Sequence, residues 1–200
     1  MCIHLSFKHE TATQALNYLA IQSGGVINKM KALKLIFFSD RYHLRKYGRP
    51  VTNDEYVAMN YGPVASNVKD IAEMSSFLDS KAEEYAKVFI TPVSRYEYSS
   101  VTPVDMDIFS ESEIEALDYA WKNFGHLEEF GLADLTHQYP EWKKHEIALK
   151  SLSNVRMDYL DFIENPAEGV DPCCPLTPDD KELIADMIKE KSKISGLMFG

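Results

Sequence analysis

The chain is poor in cysteine and in positive charge, and each shortage excludes a class of protein. Its three cysteines, Cys2, Cys173 and Cys174, are too few and too badly placed for a disulfide framework, which predicts a reduced, cytoplasmic protein. Lys and Arg number 21 against 31 Asp and Glu, so the formal net charge is −10. A general nucleic-acid binder needs a positive surface for phosphates, and nucleic acid is therefore not the expected partner.

Long hydrophobic runs are also missing. No stretch approaches the roughly 20 apolar residues that cross a bilayer. The first ten residues, MCIHLSFKHE, contain no apolar run of signal-peptide length. We therefore expect neither a membrane segment nor a secretion signal. The hydrophobic fraction of 45% is ordinary for a globular protein and is enough to fill a single core.

Motifs of catalysis and of metal binding are missing too. The chain contains no GxSxG elbow, no GxxxxGK[ST] phosphate loop and no CxxC pair. The histidines show neither HxxxH nor HExxH spacing, and they are His4, His9, His43, His126, His137 and His145. We expect no enzymatic activity, no metal and no cofactor.

Hydrophobic periodicity predicts an α+β fold that is mostly helical. Residues 28–46 are expected to form the central helix, with Asn28 as N-cap and with Gly48 and Pro50 ending it. This helix is apolar on two faces, which is typical of a helix at the centre of a core. A capping box at Ser110–Glu113 opens a helix at residues 110–124. Other helices are predicted at residues 10–23, 63–74, 126–138, 140–149 and 155–164.

Short β-rich stretches predict a small antiparallel sheet beside these helices. Residues 55–61, EYVAMNY, indicate a strand that ends at Gly62, and Pro63 is expected to open the next helix. Residues 87–102 indicate one or two further strands. After residue 165 the chain becomes proline-rich, and Thr177–Asp180 opens a last amphipathic helix. We therefore expect a domain at residues 1–165, followed by a linker and C-terminal helix at residues 166–200.

Asp40 is the residue most at odds with its surroundings. It lies between Ile36 and Leu44 in the apolar stripe of the central helix. A carboxylate there must be hydrogen-bonded or paired, because burying it bare is expensive. His43 is within helical reach. Two interpretations stay open: a structural network that fixes the fold, or a site that faces a ligand or partner.

A basic cluster follows on the same helix, and it consists of Arg41, Arg45, Lys46 and Arg49, extended upstream by Lys29, Lys31 and Lys34. Such a cluster is either an ordinary solvated helix face or a surface for nucleic acid or for an acidic patch on a protein partner.

Residues 34–69 resemble the Panacea domain, a module of antitoxins in toxin–antitoxin pairs and of phage-associated proteins. The resemblance extends over about residues 10–165. The residues that carry it are Asp40, His43, Leu44, Tyr47, Gly48 and Pro50, then Ala58, Tyr61, Gly62, Pro63 and Val64, and downstream Leu135, Thr136, His137 and Trp142.

The resemblance implies an antitoxin-type protein-binding module. Members of this family neutralise toxins by direct contact, and one branch delivers its toxin to an ATP-dependent protease. The implied partner is therefore a cognate toxin, with a protease as a second partner that the resemblance allows. The acidic balance favours encounter with a basic toxin. We expect exposed partner contacts at Arg41, Arg45, Asn60 and Tyr61, and structural roles for Asp40, His43, Gly48, Gly62 and Pro63.

Two alternatives remain at this stage. In the first alternative, the chain is a DNA-binding regulator of its own operon. Such a regulator needs a recognition helix, but residues 63–74 contain Lys69 as their only cation. In the second, the C-terminal helix supplies the partner-binding surface instead of packing on its own core.

Overall fold

The computed structural model describes residue 3, residues 5–173 and residues 175–198. Cys2, His4 and Cys174, considered above, lie outside the described residues. The architecture is the mostly helical α+β fold predicted from the sequence. The helices are α1 (His9–Gln22), α2 (Lys29–Tyr47), α3 (Ser66–Glu73), α4 (Ser80–Phe89), α5 (Glu111–Phe124), α6 (Glu129–Thr136), α7 (Pro140–Lys143) and α8 (Pro178–Met198). The strands are β1 (Val26–Asn28), β2 (Tyr56–Met59), β3 (Gly62–Ala65), β4 (Ile90–Pro92), β5 (Glu97–Ser100) and β6 (Asn154–Arg156).

Helix α2 lies at the centre of the core, as predicted. Leu35, Ile36 and Phe37 are fully buried on it. The Asn28 side chain accepts hydrogen bonds from the N–H groups of Met30 and Lys31 at 2.8 and 3.2 Å, which caps the helix start. Gly48 ends the helix in the left-handed conformation, with φ of 66°. The capping box predicted at the start of α5 is also present.

The described residues form two small antiparallel sheets, where the sequence predicted one. Their strand orders are β1-β5-β4 and β3-β2-β6. The prediction of a helix at residues 155–164 was wrong, because strand β6 pairs there with β2 and a 3₁₀ turn follows at Tyr159–Asp161. Pairing with a strand distant in sequence overrides a local helical pattern of this length.

The segment around Gly62 and Pro63 also differs from the prediction. It does not join a strand to a helix; it is the turn of a β-hairpin, in which β3 pairs with β2 through Met59 opposite Gly62. Gly62 has φ of 96°, a backbone angle that favours glycine, and it follows the two loop residues Asn60 and Tyr61. Pro63 is accommodated because β3 is an edge strand. Helix α3 then begins at Ser66, three residues later than predicted.

Helix α8 packs on the end of α2. Ile184 and Ile188 are buried, and the Met187 side chain lies over Gly48 so closely that an added Cβ would be 2.6 Å from its terminal methyl. The C-terminal helix therefore packs on its own core, at the end of α2. None of the helices in the described part of the chain is long and apolar enough to cross a membrane.

Candidate partner-binding surface

The two arginines expected at the surface are buried, and that part of the prediction was wrong. Arg41 and Arg45 are only 2% and 3% exposed. The Nε of Arg41 donates to Glu141 at 2.6 Å, and its Nη1 donates to Asp171. A guanidinium without solvent requires such partners, because an unpaired buried charge is strongly destabilising.

Arg45 holds the backbone of the chain that follows β6. Its Nη1 donates to the carbonyl oxygens of Ile163 and Glu164 at 3.0 and 3.1 Å, and its Nη2 donates to the Asn165 side chain at 2.8 Å. Arg41 donates to the same Glu164 carbonyl at 2.9 Å. The arginine pair therefore fixes the C-terminal region on α2 and is not available to a partner in this arrangement.

Asp40 is buried and fully hydrogen-bonded, as predicted. Its Oδ1 accepts from the N–H groups of Val51 and Thr52 at 2.8 and 2.9 Å, and its Oδ2 accepts from the hydroxyls of Thr52 and Tyr56 at 2.5 and 2.9 Å. Burial raises the pKa of Asp40 to about 6, while these hydrogen bonds oppose that shift. The carboxylate thus pins the loop after α2 to the helix, which is the structural interpretation.

His43 takes part in a separate contact. Its Nδ1 lies 2.6 Å from the Arg49 carbonyl oxygen, and its Nε2 lies 2.9 Å from the Ser112 hydroxyl. Burial lowers the pKa of His43 to about 4, so the ring is neutral at pH 7. It joins the end of α2 to the start of α5 and does not pair with Asp40.

Asp54 is a buried carboxylate that the sequence analysis did not single out. It accepts from the N–H groups of Asn67 and Val68 at 3.1 and 2.7 Å, and from the Asn67 side chain at 2.6 Å. Asp54 thereby caps helix α3 across the intervening hairpin. An N-cap from outside the helix leaves no local spacing signal, which is why the pattern around Ser66 did not reveal it.

The hairpin turn is supported from below by a buried lysine. Lys34, on α2, donates to the Pro63 carbonyl oxygen at 2.7 Å, and burial lowers its pKa to about 7. A Cβ on Gly62 would overlap the Thr136 hydroxyl and lie 3.0 Å from the Lys34 nitrogen. Only glycine fits here, because the site combines a positive φ with contact on both sides.

A second support comes from the segment after α6. The indole N–H of Trp142 donates to the Met59 carbonyl oxygen at 2.9 Å, and the His137 ring stacks on Trp142 with centroids 3.8 Å apart. The downstream residues of the sequence resemblance therefore pack directly under the hairpin. The fold thus brings residues 135–142 into contact with the hairpin, although the two segments are distant in sequence.

Asn60 and Tyr61 stand at the exposed end of this hairpin. The Tyr61 side chain is 61% exposed and lies edge-on to Phe130 of α6, with ring centroids 6.1 Å apart. Phe130 is itself 60% exposed. Phe130 was not predicted from the sequence, because a single aromatic residue on a short helix is more typical of the core. Of the four predicted contact residues, Asn60 and Tyr61 are therefore exposed, and Tyr61 lies beside Phe130, which was not predicted.

Comparison with known proteins agrees with the resemblance seen in the sequence. The family model described as antitoxin SocA-like, Panacea domain, matches residues 33–143, which is more than half of the 200 residues. Searches of curated proteins and of solved structures returned no match. The matched range contains most of α2, the hairpin and α6, the elements that place Asp40, Lys34, Gly62 and Tyr61. The chain therefore belongs to the antitoxin SocA-like, Panacea domain family.

Proposed function

We propose that the chain is an antitoxin that binds a cognate toxin protein and neutralises it by direct contact. The observation that carries the proposal is the family match over residues 33–143. The surface supports it, because the hairpin turn presents Asn60 and Tyr61 outward on a rigid base. Rigid aromatic side chains at the surface are typical anchors of protein–protein interfaces.

Neutralisation takes place, in this proposal, by binding in the cytoplasm and without a catalytic step or cofactor of the chain's own. The buried ionisable groups support a structural assignment, since each holds two elements together. Asp40 fixes a loop on α2, Asp54 caps α3, and Arg41 with Arg45 fastens the C-terminal region. Their contacts are with the chain's own backbone and side chains, and their charge is used in folding.

Delivery of the bound toxin to an ATP-dependent protease is a finer form of the same proposal. It predicts that the toxin disappears faster when the antitoxin is present. The half-life of an epitope-tagged toxin, followed after translation is stopped, decides between the two forms. Shortening that depends on the protease supports delivery, whereas an unchanged half-life with full growth rescue leaves neutralisation by contact alone.

Co-expression with the product of the adjacent gene tests the proposal as a whole. We expect the adjacent product to inhibit growth, the chain to restore it, and the two proteins to purify together. A chain that restores nothing and binds no product of the adjacent gene would overturn the antitoxin assignment. Retention of the chain on DNA in a salt-dependent manner, with no protein partner, would favour a regulator instead.

A further inference from the structure

Two exposed aromatic rings from different elements meet at the hairpin turn. Tyr61 comes from the β2–β3 turn and Phe130 from α6, and their rings lie at 71° to each other. Four aromatic side chains of the described residues are strongly exposed, and they are Tyr61, Phe77, Tyr96 and Phe130. Within this set, Tyr61 and Phe130 are the pair in contact. Scattered exposed apolar residues need no explanation, whereas a contiguous pair is a candidate interface anchor.

The backbone of the turn that carries Tyr61 is held in place before any partner arrives. Gly62 fixes the turn, the Lys34 amine fixes the Pro63 carbonyl, and Trp142 fixes the Met59 carbonyl. The turn is therefore fixed by hydrogen bonds on both of its strands. A surface that is already ordered loses little conformational entropy on binding, which favours affinity.

The helix that carries Phe130 is acidic. Residues 123–142 contain no Lys or Arg, although they contain Glu128, Glu129 and Asp134. Asp134 is one helical turn from Phe130 and on the same side of α6. Within the part of the chain that the structure describes, none of these three carboxylates takes part in an ion pair. Asp134 is therefore open to the cations of a partner, while Glu128 and Glu129 also lie at the positive N-terminal end of α6.

Another exposed tyrosine shows a different environment. Tyr96 is 63% exposed, close to the value for Tyr61, but the Arg95 guanidinium lies over its ring at 5.5 Å. A cation already occupies that aromatic face. Tyr96 thus offers a control with equal exposure and opposite local charge.

We propose that Asn60, Tyr61, Phe130 and Asp134 form one docking surface, the tip surface, for a basic protein partner, with Glu128 and Glu129 next to Phe130 along the chain. This inference rests on the proposed antitoxin function and identifies the partner as a toxin whose contact surface is rich in Lys and Arg around an apolar pocket. The two rings enter the pocket, and the carboxylates meet the cations at the rim. Aromatic anchors supply affinity, and the charges accelerate encounter and select the partner.

The test measures binding of the purified full-length chain to the purified product of the adjacent gene. Tyr61→Ala and Phe130→Ala should each weaken binding, and their combination should weaken it on the order of 30-fold or more. Asp134→Lys should slow association roughly 3- to 10-fold at low salt, with the difference shrinking at high salt. The matched controls are Tyr96→Ala and Glu84→Lys, an exposed tyrosine and an exposed helical carboxylate away from the tip surface. Thermal melting of each variant verifies that it is folded.

Each outcome has one interpretation. Loss of binding in the tip variants, with both controls binding as the unmodified chain does, supports the tip surface. Unchanged binding in the double variant overturns it while leaving the antitoxin function intact. Equal losses in the tip variants and in the controls also overturn it, because the effect is then not local. If the unmodified chain itself binds nothing, the proposed function fails, and the tip surface, which rests on it, fails with it.

Discussion

At the scale of single residues, buried polar side chains hold this fold where helices give way to loops. Asp40 receives four hydrogen bonds from the chain that follows α2, and Asp54 receives those of the first turn of α3. Burying such a carboxylate costs little free energy while all its hydrogen bonds are made. Removing one partner leaves a buried polar group unpaired, which is strongly destabilising. Burial alone was predictable for Asp40, because an acidic residue inside an apolar stripe must find partners. The identity of those partners was not, since Val51 and Thr52 lie in a loop with no regular pattern.

Replacing Asp40 by Ala should lower the free energy of unfolding by about 3–5 kcal/mol. The substitution leaves two buried N–H groups and two hydroxyls without their acceptor. Urea denaturation measures the change. Asp186→Ala, at an exposed position on α8, is the control and should cost within about 0.5 kcal/mol. Equal stability of the two variants would contradict the structural assignment of Asp40.

The buried amine of Lys34 should make stability depend on pH. Its pKa in the folded chain is about 7, below the 10.5 of a free lysine. Between these values the unfolded chain binds more protons, so the free energy of unfolding rises with pH, by up to about 1.4 kcal/mol per pH unit. Denaturation of the unmodified chain and of Lys34→Met at pH 7, 8 and 9 checks this. The rise should vanish in Lys34→Met, and parallel pH profiles would show that Lys34 is not the group responsible.

At the scale of elements, the ends of helices were predictable where neighbouring residues alone determine them. The Asn28 cap, the Gly48 stop and the capping box at Ser110 are properties of a few consecutive residues. The hairpin was misread because Gly-Pro after a strand is equally compatible with a helix start and with a return strand. Contact of Gly62 with α2 and α6 decides between them, and that contact is tertiary.

Gly62→Ala should destabilise the chain by more than about 1 kcal/mol, because the added methyl meets Thr136 and Lys34 at a backbone angle unfavourable for alanine. Gly131→Ala is the matched control. Gly131 lies in α6 with nothing within 4 Å of an added Cβ, and alanine favours a helix there by about 0.5–1 kcal/mol. Opposite shifts in melting temperature are expected. A neutral Gly62→Ala would show that the turn is looser than described.

At the scale of the whole molecule, charge pairing across long sequence separations decides which surface is free. Arg41 pairs with Glu141 and Asp171, so a face that looks basic in the sequence is covered by the chain's own C-terminal region. Charged residues on a helix face solvent only where no distant part of the chain pairs with them, and the sequence does not show such pairing. The fold class and the central helix were therefore predictable. Of the four residues expected to contact a partner, Asn60 and Tyr61 are exposed, while Arg41 and Arg45 are buried.

The docked position of α8 gives a prediction at the same scale. Ile188→Glu places a carboxylate in the core and should release α8, so that protease cleaves the segment at residues 166–177 on the order of tenfold faster. Leu183→Glu, at an exposed position of the same helix, should leave cleavage unchanged. Limited proteolysis followed by mass spectrometry measures both. Identical cleavage of the two variants would contradict the packing of α8 on α2.

In the proposed function, the chain neutralises a toxin protein through direct contact. The decisive measurement is calorimetric titration of the purified chain into the purified product of the adjacent gene. We predict saturable binding with a dissociation constant of about 1 μM or below, as expected for a specific protein–protein interface. The product must also be one that inhibits growth when expressed alone. Absence of heat and of any complex at concentrations on the order of 100 μM would contradict the claim.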